Sequence, residues 1–113
     1  MIDRVVLVKL KKEHATPDGR AEVAREALRV LRPLPGVVSV VAGRPADAAA
    51  EASWDVSITI RFRNLDDFGL YRAHPDHRRF VDEYLAPRSE VRKAWSFEVV
   101  DQAGAGQGER AGA

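Results

Sequence analysis

Tyr71-Arg72-Ala73-His74-Pro75-Asp76-His77 gathers two of the chain's three histidines and one of its two tyrosines into seven residues. Imidazole is the side chain whose ordinary charge change lies near neutral pH, so it can take up and return a proton there. A tyrosine hydroxyl stays neutral and donates a hydrogen bond, which suits it to hold a carbonyl oxygen or the enolate formed from one. The pair points to acid–base chemistry on a carbonyl compound, with His77 as base and Tyr71 as hydrogen-bond donor. Pro75 sets the local geometry. It disfavours helix at His74 and is suited to a first helical position, which puts His77 at the third. At that positive end of a helix the neutral ring is favoured over the imidazolium. His74 marks the break and suits a cap, and it is also a candidate at the pocket edge. Val6, Val8, Ile58 and Phe80 are expected to line an apolar pocket between sheet and helices.

Other chemistries find less support. A metal held by His74, His77 and one of Asp76, Asp82 or Glu83 has two nitrogen ligands with a proline between them, and the chain has no cysteine. No metal site and no cofactor are assigned. Gly36, Gly43 and Gly69 are isolated, so no phosphate loop is formed, and no Gly-x-Ser-x-Gly elbow exists. Net charge is +1, and acidic residues dilute each short basic cluster, which argues against nucleic acid as a partner. No apolar run approaches a membrane span and no secretory cleavage pattern follows Met1, so a cytoplasmic protein is the simplest fit.

The elements that must position this stretch can be read from period and punctuation. Val5–Leu10 is a strand with apolar residues on both faces, Val6, Val8 and Leu10 on one and Val5 and Leu7 on the other, so both faces should be covered. Thr16 is a plausible cap before Pro17, opening a helix whose stripe is Val23, Ala27, Val30, Leu31 and Leu34 and which Pro33, Pro35 and Gly36 stop. Val37–Ala42 is a second strand. Residues 46–53 form a surface loop or a short helix. Trp54–Phe62 is a third strand, with Val56, Ile58, Ile60 and Phe62 on one face and Asp55, Ser57, Thr59 and Arg61 on the other. Asn64 or Asp66 caps a helix carrying Leu65, Phe68 and Tyr71. Pro75 opens another with Phe80, Val81, Tyr84 and Leu85 as its stripe, and Pro87 ends it. Arg92–Val100 is the last strand.

The order is β-α-β-β-α-β, a ferredoxin-like α+β fold with a four-stranded antiparallel sheet and helices on one face. One domain is expected over residues 1–101, with a disordered tail over 102–113. The sheet's other face is apolar enough to require cover, and pairing of two sheets in a homodimer supplies it. Whether Trp95 and Phe97 face that partner is left open by the strand's own pattern.

These residues resemble a known family. Leu34-Pro35-Gly36-Val37, Val41-Ala42-Gly43, and Phe62-Arg63-Asn64-Leu65-Asp66-Asp67-Phe68 followed by Tyr71-x-x-His74-Pro75-x-His77-x-x-Phe80-Val81 look like a stress-responsive A/B barrel (Dabb) domain over about residues 2–100. The resemblance implies a dimeric α+β barrel. In a plant member, olivetolic acid cyclase, the last histidine of the signature is the base and the tyrosine its partner in a cofactor-free aldol condensation, roles that map onto His77 and Tyr71. Its pocket positions map onto Val6, Val8, Ile58 and Phe80. Arg4 and Val56 stand where that cyclase has histidines, and Ala24 and Ala27 where it has bulky aromatics, so the cavity differs in shape. Two functions follow as expectations. One is cyclisation or isomerisation of a small polyketide-like or aromatic carbonyl compound; the alternative is a non-catalytic, stress-responsive binding or structural dimer.

Overall fold

The computed structural model describes residues 1–100. The tail expected over 102–113 lies outside the described residues. The elements run β1 (Ile2–Leu10), a 3-10 turn (Lys12–His14), α1 (Pro17–Leu31), β2 (Val37–Gly43), α2 (Ala48–Ser53), β3 (Val56–Phe62), α3 (Leu65–Ala73), α4 (Pro75–Arg79), a π-helical segment (Phe80–Leu85), α5 (Ala86–Arg88) and β4 (Ser89–Glu98). The sheet order is β2-β3-β1-β4 with every neighbouring pair antiparallel, which is the ferredoxin-like α+β arrangement.

Local chemistry sets where the helices begin. Thr16 Oγ1 accepts the Gly19 N–H at 3.0 Å, and Asn64 Oδ1 accepts the Asp67 N–H at 2.8 Å. Asp47 starts α2 by accepting the Ala50 N–H at 2.9 Å, so the small acidic segment forms a short helix rather than a loop. Gly36 has φ +85° in the turn between α1 and β2, and its α-carbon lies so near α3 that an added Cβ would sit 3.1 Å from the Asp67 carbonyl oxygen. Each cap is worth about 1 kcal/mol, against about 1.5–3 kcal/mol for each buried Val, Leu, Ile or Phe. The caps therefore fix boundaries, while the core holds the helices on the sheet.

That core lies between the sheet and the helices. Val8 and Leu10 of β1, Val56, Ile58, Ile60 and Phe62 of β3, and Val40 of β2 meet Val23, Ala27 and Leu31 of α1 and Phe80 and Leu85 of the last helical run. Asp55, grouped by alternation with Ser57, Thr59 and Arg61, is instead buried at the edge of the core. It precedes β3, is 4% exposed, and accepts the Leu10 N–H at 2.8 Å and Arg20 Nε at 2.9 Å.

Pro87 does not end the last helix. The backbone stays helical through Leu85 and Ala86 to Arg88. The π-helical turn shifts the hydrogen-bond register, so Pro87 falls at the start of a fresh turn, where its missing N–H is not needed. The last strand then begins at Ser89, earlier than Arg92, because it pairs with β1 all the way to Leu10.

Register also settles the open face. Trp95 pairs with Val5, Lys93 with Leu7 and Phe97 with Asp3, the residues of β1 that alternate with buried Val8 and Leu10. Directly opposed residues share a face. Trp95 and Phe97 therefore lie with Val5 and Leu7 on the face away from the helices, and are 48% and 56% exposed. Val41, opposite Thr59, extends that apolar surface, and Arg61 closes on Asp3 at 2.7 Å beside it.

Candidate functional site

Tyr71 sits on the last turn of α3 and His77 on the first turn of α4, separated by the break at His74-Pro75. His74 has extended geometry and its Nδ1 accepts the Asp76 N–H at 3.1 Å, so it caps α4. The break folds His77 back toward α3. Its ring stands 4.4 Å from that of Tyr71, centroid to centroid, and its Nδ1 lies 3.0 Å from the Arg72 carbonyl oxygen. A carbonyl only accepts, so Nδ1 carries the proton, which leaves the Nε2 lone pair of the neutral ring free to act as a base.

Tyr71 is held from the other side by Phe62 at 4.8 Å and Phe68 at 6.4 Å. The residue is 3% exposed, and the buried hydroxyl without a hydrogen-bond partner among the described residues is that of Tyr84, on the far side of Phe80. Burial pushes the Tyr71 hydroxyl above the ordinary tyrosine range, with the nearby Arg4 charge opposing, so it remains a neutral donor. For His77, burial is the first cause that lowers it below the usual histidine value of 6.5. The bond to the Arg72 carbonyl opposes this, and repulsion from Arg78, Arg4 and Arg72 adds to it. The neutral ring expected from the helix start thus has desolvation as its main source.

Both side chains line a cavity of about 230 Å³ between the sheet and the last helical run. Val6, Ile58, Ile60 and Phe80 form its apolar part, so three of the expected pocket residues are there with the tyrosine and His77. Two others are not. Val8 is fully buried two residues further along β1, closed into the core opposite Val56. His74 spends its ring nitrogen on the α4 cap and stays outside the lining. Among the described residues no group of three or more His, Asp or Glu side chains is placed to hold a metal ion, and no helix is long and apolar enough to cross a membrane.

The sequence reading missed the cations. Arg4, Arg72, Arg78 and Arg92 line the same cavity, and no Asp or Glu does. Arg4 crosses the Phe68 ring at 5.2 Å and donates to Ser96 Oγ at 3.2 Å. The alternation of β1 could have flagged it, since Arg4 falls on the same face as Val6, Val8 and Leu10, where a charge is out of pattern.

The chain matches the family profile described as the stress-responsive A/B barrel domain over residues 2–101. The comparison with curated proteins returned no match. Among solved structures, a Dabb family protein with a ferredoxin-like fold from Mesorhizobium loti is 21% identical, with a TM-score of 0.75 over 88% of this chain and 97% of its own. A protein from Arabidopsis thaliana is 12% identical, with a TM-score of 0.76 over 91% and 99%. A dimeric ferredoxin-like protein of unknown function from Thermobifida fusca is 27% identical, with a TM-score of 0.71 over 87% and 90%. The structural likenesses carry the fold, and the profile spans nearly all the elements just described: this chain belongs to the stress-responsive A/B barrel (Dabb) family.

Proposed function

We propose that this Dabb chain is a homodimeric, cofactor-free acid–base catalyst for cyclisation or isomerisation of a small carbonyl compound. His77 Nε2 removes a proton from the carbon beside the carbonyl, becoming imidazolium, and the electron pair moves to the carbonyl oxygen. The Tyr71 hydroxyl donates to that enolate oxygen, aided by the positive charge of Arg4. Return of the proton to a different carbon completes an isomerisation. Alternatively the enolate carbon attacks a second carbonyl of the same molecule, and the imidazolium protonates the new alkoxide. Every proton is accounted for by His77, and no oxidant or reductant is needed.

One observation carries this reading. A half-buried imidazole has one nitrogen committed to a backbone carbonyl, and the buried Tyr71 ring stands beside it on the wall of the same cavity. The parallel with olivetolic acid cyclase rests on the Tyr71 and His77 signature alone, and Arg4 in place of its histidine argues for a different substrate.

The homodimer is supported by the apolar face bearing Val5, Leu7, Val41, Trp95 and Phe97, and by the dimeric description of the Thermobifida fusca relative. Sedimentation reads it directly, with Trp95→Asp expected to shift the chain toward monomer.

Catalysis is tested by hydrogen–deuterium exchange at the enolisable carbon of phenylpyruvate, followed by NMR. The wild-type chain should accelerate exchange over buffer, and His77→Ala should lower that acceleration about 10²–10⁴-fold. The rate should fall on the acid side of pH 6.5, as the depressed His77 becomes protonated. A folded, dimeric His77→Ala protein with undiminished exchange would overturn the catalytic reading and leave a binding or structural dimer.

A further inference from the structure

The cavity's charge is out of proportion to the chain that builds it. The whole sequence carries 18 Lys and Arg against 17 Asp and Glu, a near balance. The cavity wall nevertheless holds Arg4, Arg72, Arg78 and Arg92 and no carboxylate. Among the described residues, Arg4, Arg72 and Arg92 have no ion pair at all, and Arg78 has only an exposed contact with Asp82 at 3.6 Å. Of the arginines elsewhere, Arg20, Arg29, Arg61 and Arg79 each have a carboxylate within 3 Å, while those without an ion pair are scattered over the surface rather than gathered at one site.

Arg4 is the informative member. It sits on the core-facing side of β1, half-buried, with its guanidinium over Phe68 and one nitrogen on Ser96. Burial and repulsion from Arg72 both lower its affinity for its proton. Holding two like charges beside each other without a counter-ion is unfavourable in the free protein, and an anion placed between them relieves it. Arg92 faces the same layer from β4, opposite Val8. The planar guanidinium matches a carboxylate in geometry and is well suited to one at an apolar surface. At about 230 Å³ the cavity is smaller than the roughly 300–1,000 Å³ usual for ligand sites, so its occupant is small.

We propose that the substrate of this site is a small carbonyl acid, its apolar body on Val6, Ile58, Ile60 and Phe80 and its carboxylate held by Arg4 and Arg72 at the mouth. This rests on the catalytic reading for the carbonyl and adds the anion, which the apolar-pocket expectation did not contain. The carboxylate fixes which carbon faces His77, and Arg4 and Arg72 act as binding residues rather than as acid or base.

The test compares phenylpyruvate with its uncharged methyl ester on the full chain, with binding measured by NMR titration and exchange at the enolisable carbon measured separately. The acid should bind at least tenfold tighter than the ester to the wild-type chain. Arg4→Gln with Arg72→Gln should abolish that preference in the binding titration, and each single variant should remove part of it. His77→Ala should lose exchange yet keep the preference. Equal binding of acid and ester, no saturable binding of the acid, or a preference that survives in the folded double variant would each overturn the carboxylate proposal. Retained exchange in His77→Ala would instead overturn the catalytic reading and leave the anion site standing. A phosphate-bearing analogue, phenyl phosphate, bound tighter than phenylpyruvate would overturn the choice of carboxylate.

Discussion

Two arginines on the helix side of the sheet meet opposite fates. Arg20 of α1 closes on buried Asp55, which also takes the Leu10 N–H, so both carboxylate oxygens are used and the charge is neutralised where it is buried. Arg4 of β1 meets a serine, an aromatic face and other arginines, beside the Tyr71 ring and an imidazole with only one nitrogen committed to the backbone. The first is a tie between β1, α1 and the start of β3. The second is a set of polar groups held ready by the same layer of apolar side chains. Satisfied buried polar groups stabilise, and unsatisfied ones cost stability until something binds them. The contrast between the two separates groups that maintain the fold from groups available to a ligand.

Of the two, the closed site carries the larger stability effect. Asp55→Ala strands Arg20 and the Leu10 N–H and should cost about 3–5 kcal/mol, read as a lower urea midpoint. Arg20→Ala should cost nearly as much, and the double variant less than the sum. A loss below 1 kcal/mol, by the ordinary scale of exposed pairs, would place this network with surface ion pairs instead.

Tyr71→Phe sharpens the other side. Because the ring keeps its contacts with Phe62, Phe68 and His77, removal of the hydroxyl should change stability by no more than about 1 kcal/mol. The same change should reduce exchange about 10²–10³-fold, the scale of losing one donor to a developing oxyanion. A marked loss of stability without loss of exchange would make Tyr71 a packing residue.

The smallest effect is on pH-dependent stability. His77 has a folded-state pKa below its unfolded value near 6.5, so the folded chain binds fewer protons than the unfolded chain between the two. Its contribution is therefore complete above about pH 6.5 and is lost as pH falls through the folded value. The ring is half-buried and its neighbours Arg4, Arg72 and Arg78 stay charged throughout, so solvent screening keeps the slope shallow. Urea midpoints at about pH 7.5 and about pH 5.5 should differ less in His77→Gln than in the wild type. An identical difference in both would remove His77 from the acid sensitivity of the fold.

Much of the architecture was legible because it depends on neighbours in the chain. Thr16 before Pro17, Asn64 before α3, and Pro75 after His74 act over one or two turns, and each starts its helix where the pattern places it. The alternation Val56, Ile58, Ile60, Phe62 is a short-range pattern too, and those residues are fully buried. Pro87 was misread because a π-helical turn alters the hydrogen-bond register ahead of it, and such a turn leaves no mark in composition or period. The burial of Asp55 was not legible for a related reason: alternation grouped it with Ser57, Thr59 and Arg61, and only its meeting with Arg20 from α1 makes burial tolerable.

The sequence by itself determined the β-α-β-β-α-β order, the break at His74-Pro75, and hence the nearness of Tyr71 to His77, since a few backbone angles over seven residues decide it. Tertiary structure decided what surrounds that pair. The pairing of β1 with β4 sets Trp95 and Phe97 on the open face and Arg92 on the side of the helices. The packing of α3 over that sheet brings Arg4, from the first strand, to Phe68 and Tyr71. Register and helix docking are long-range choices made by the whole core at once, so the charge of the cavity becomes visible only after the chain has folded.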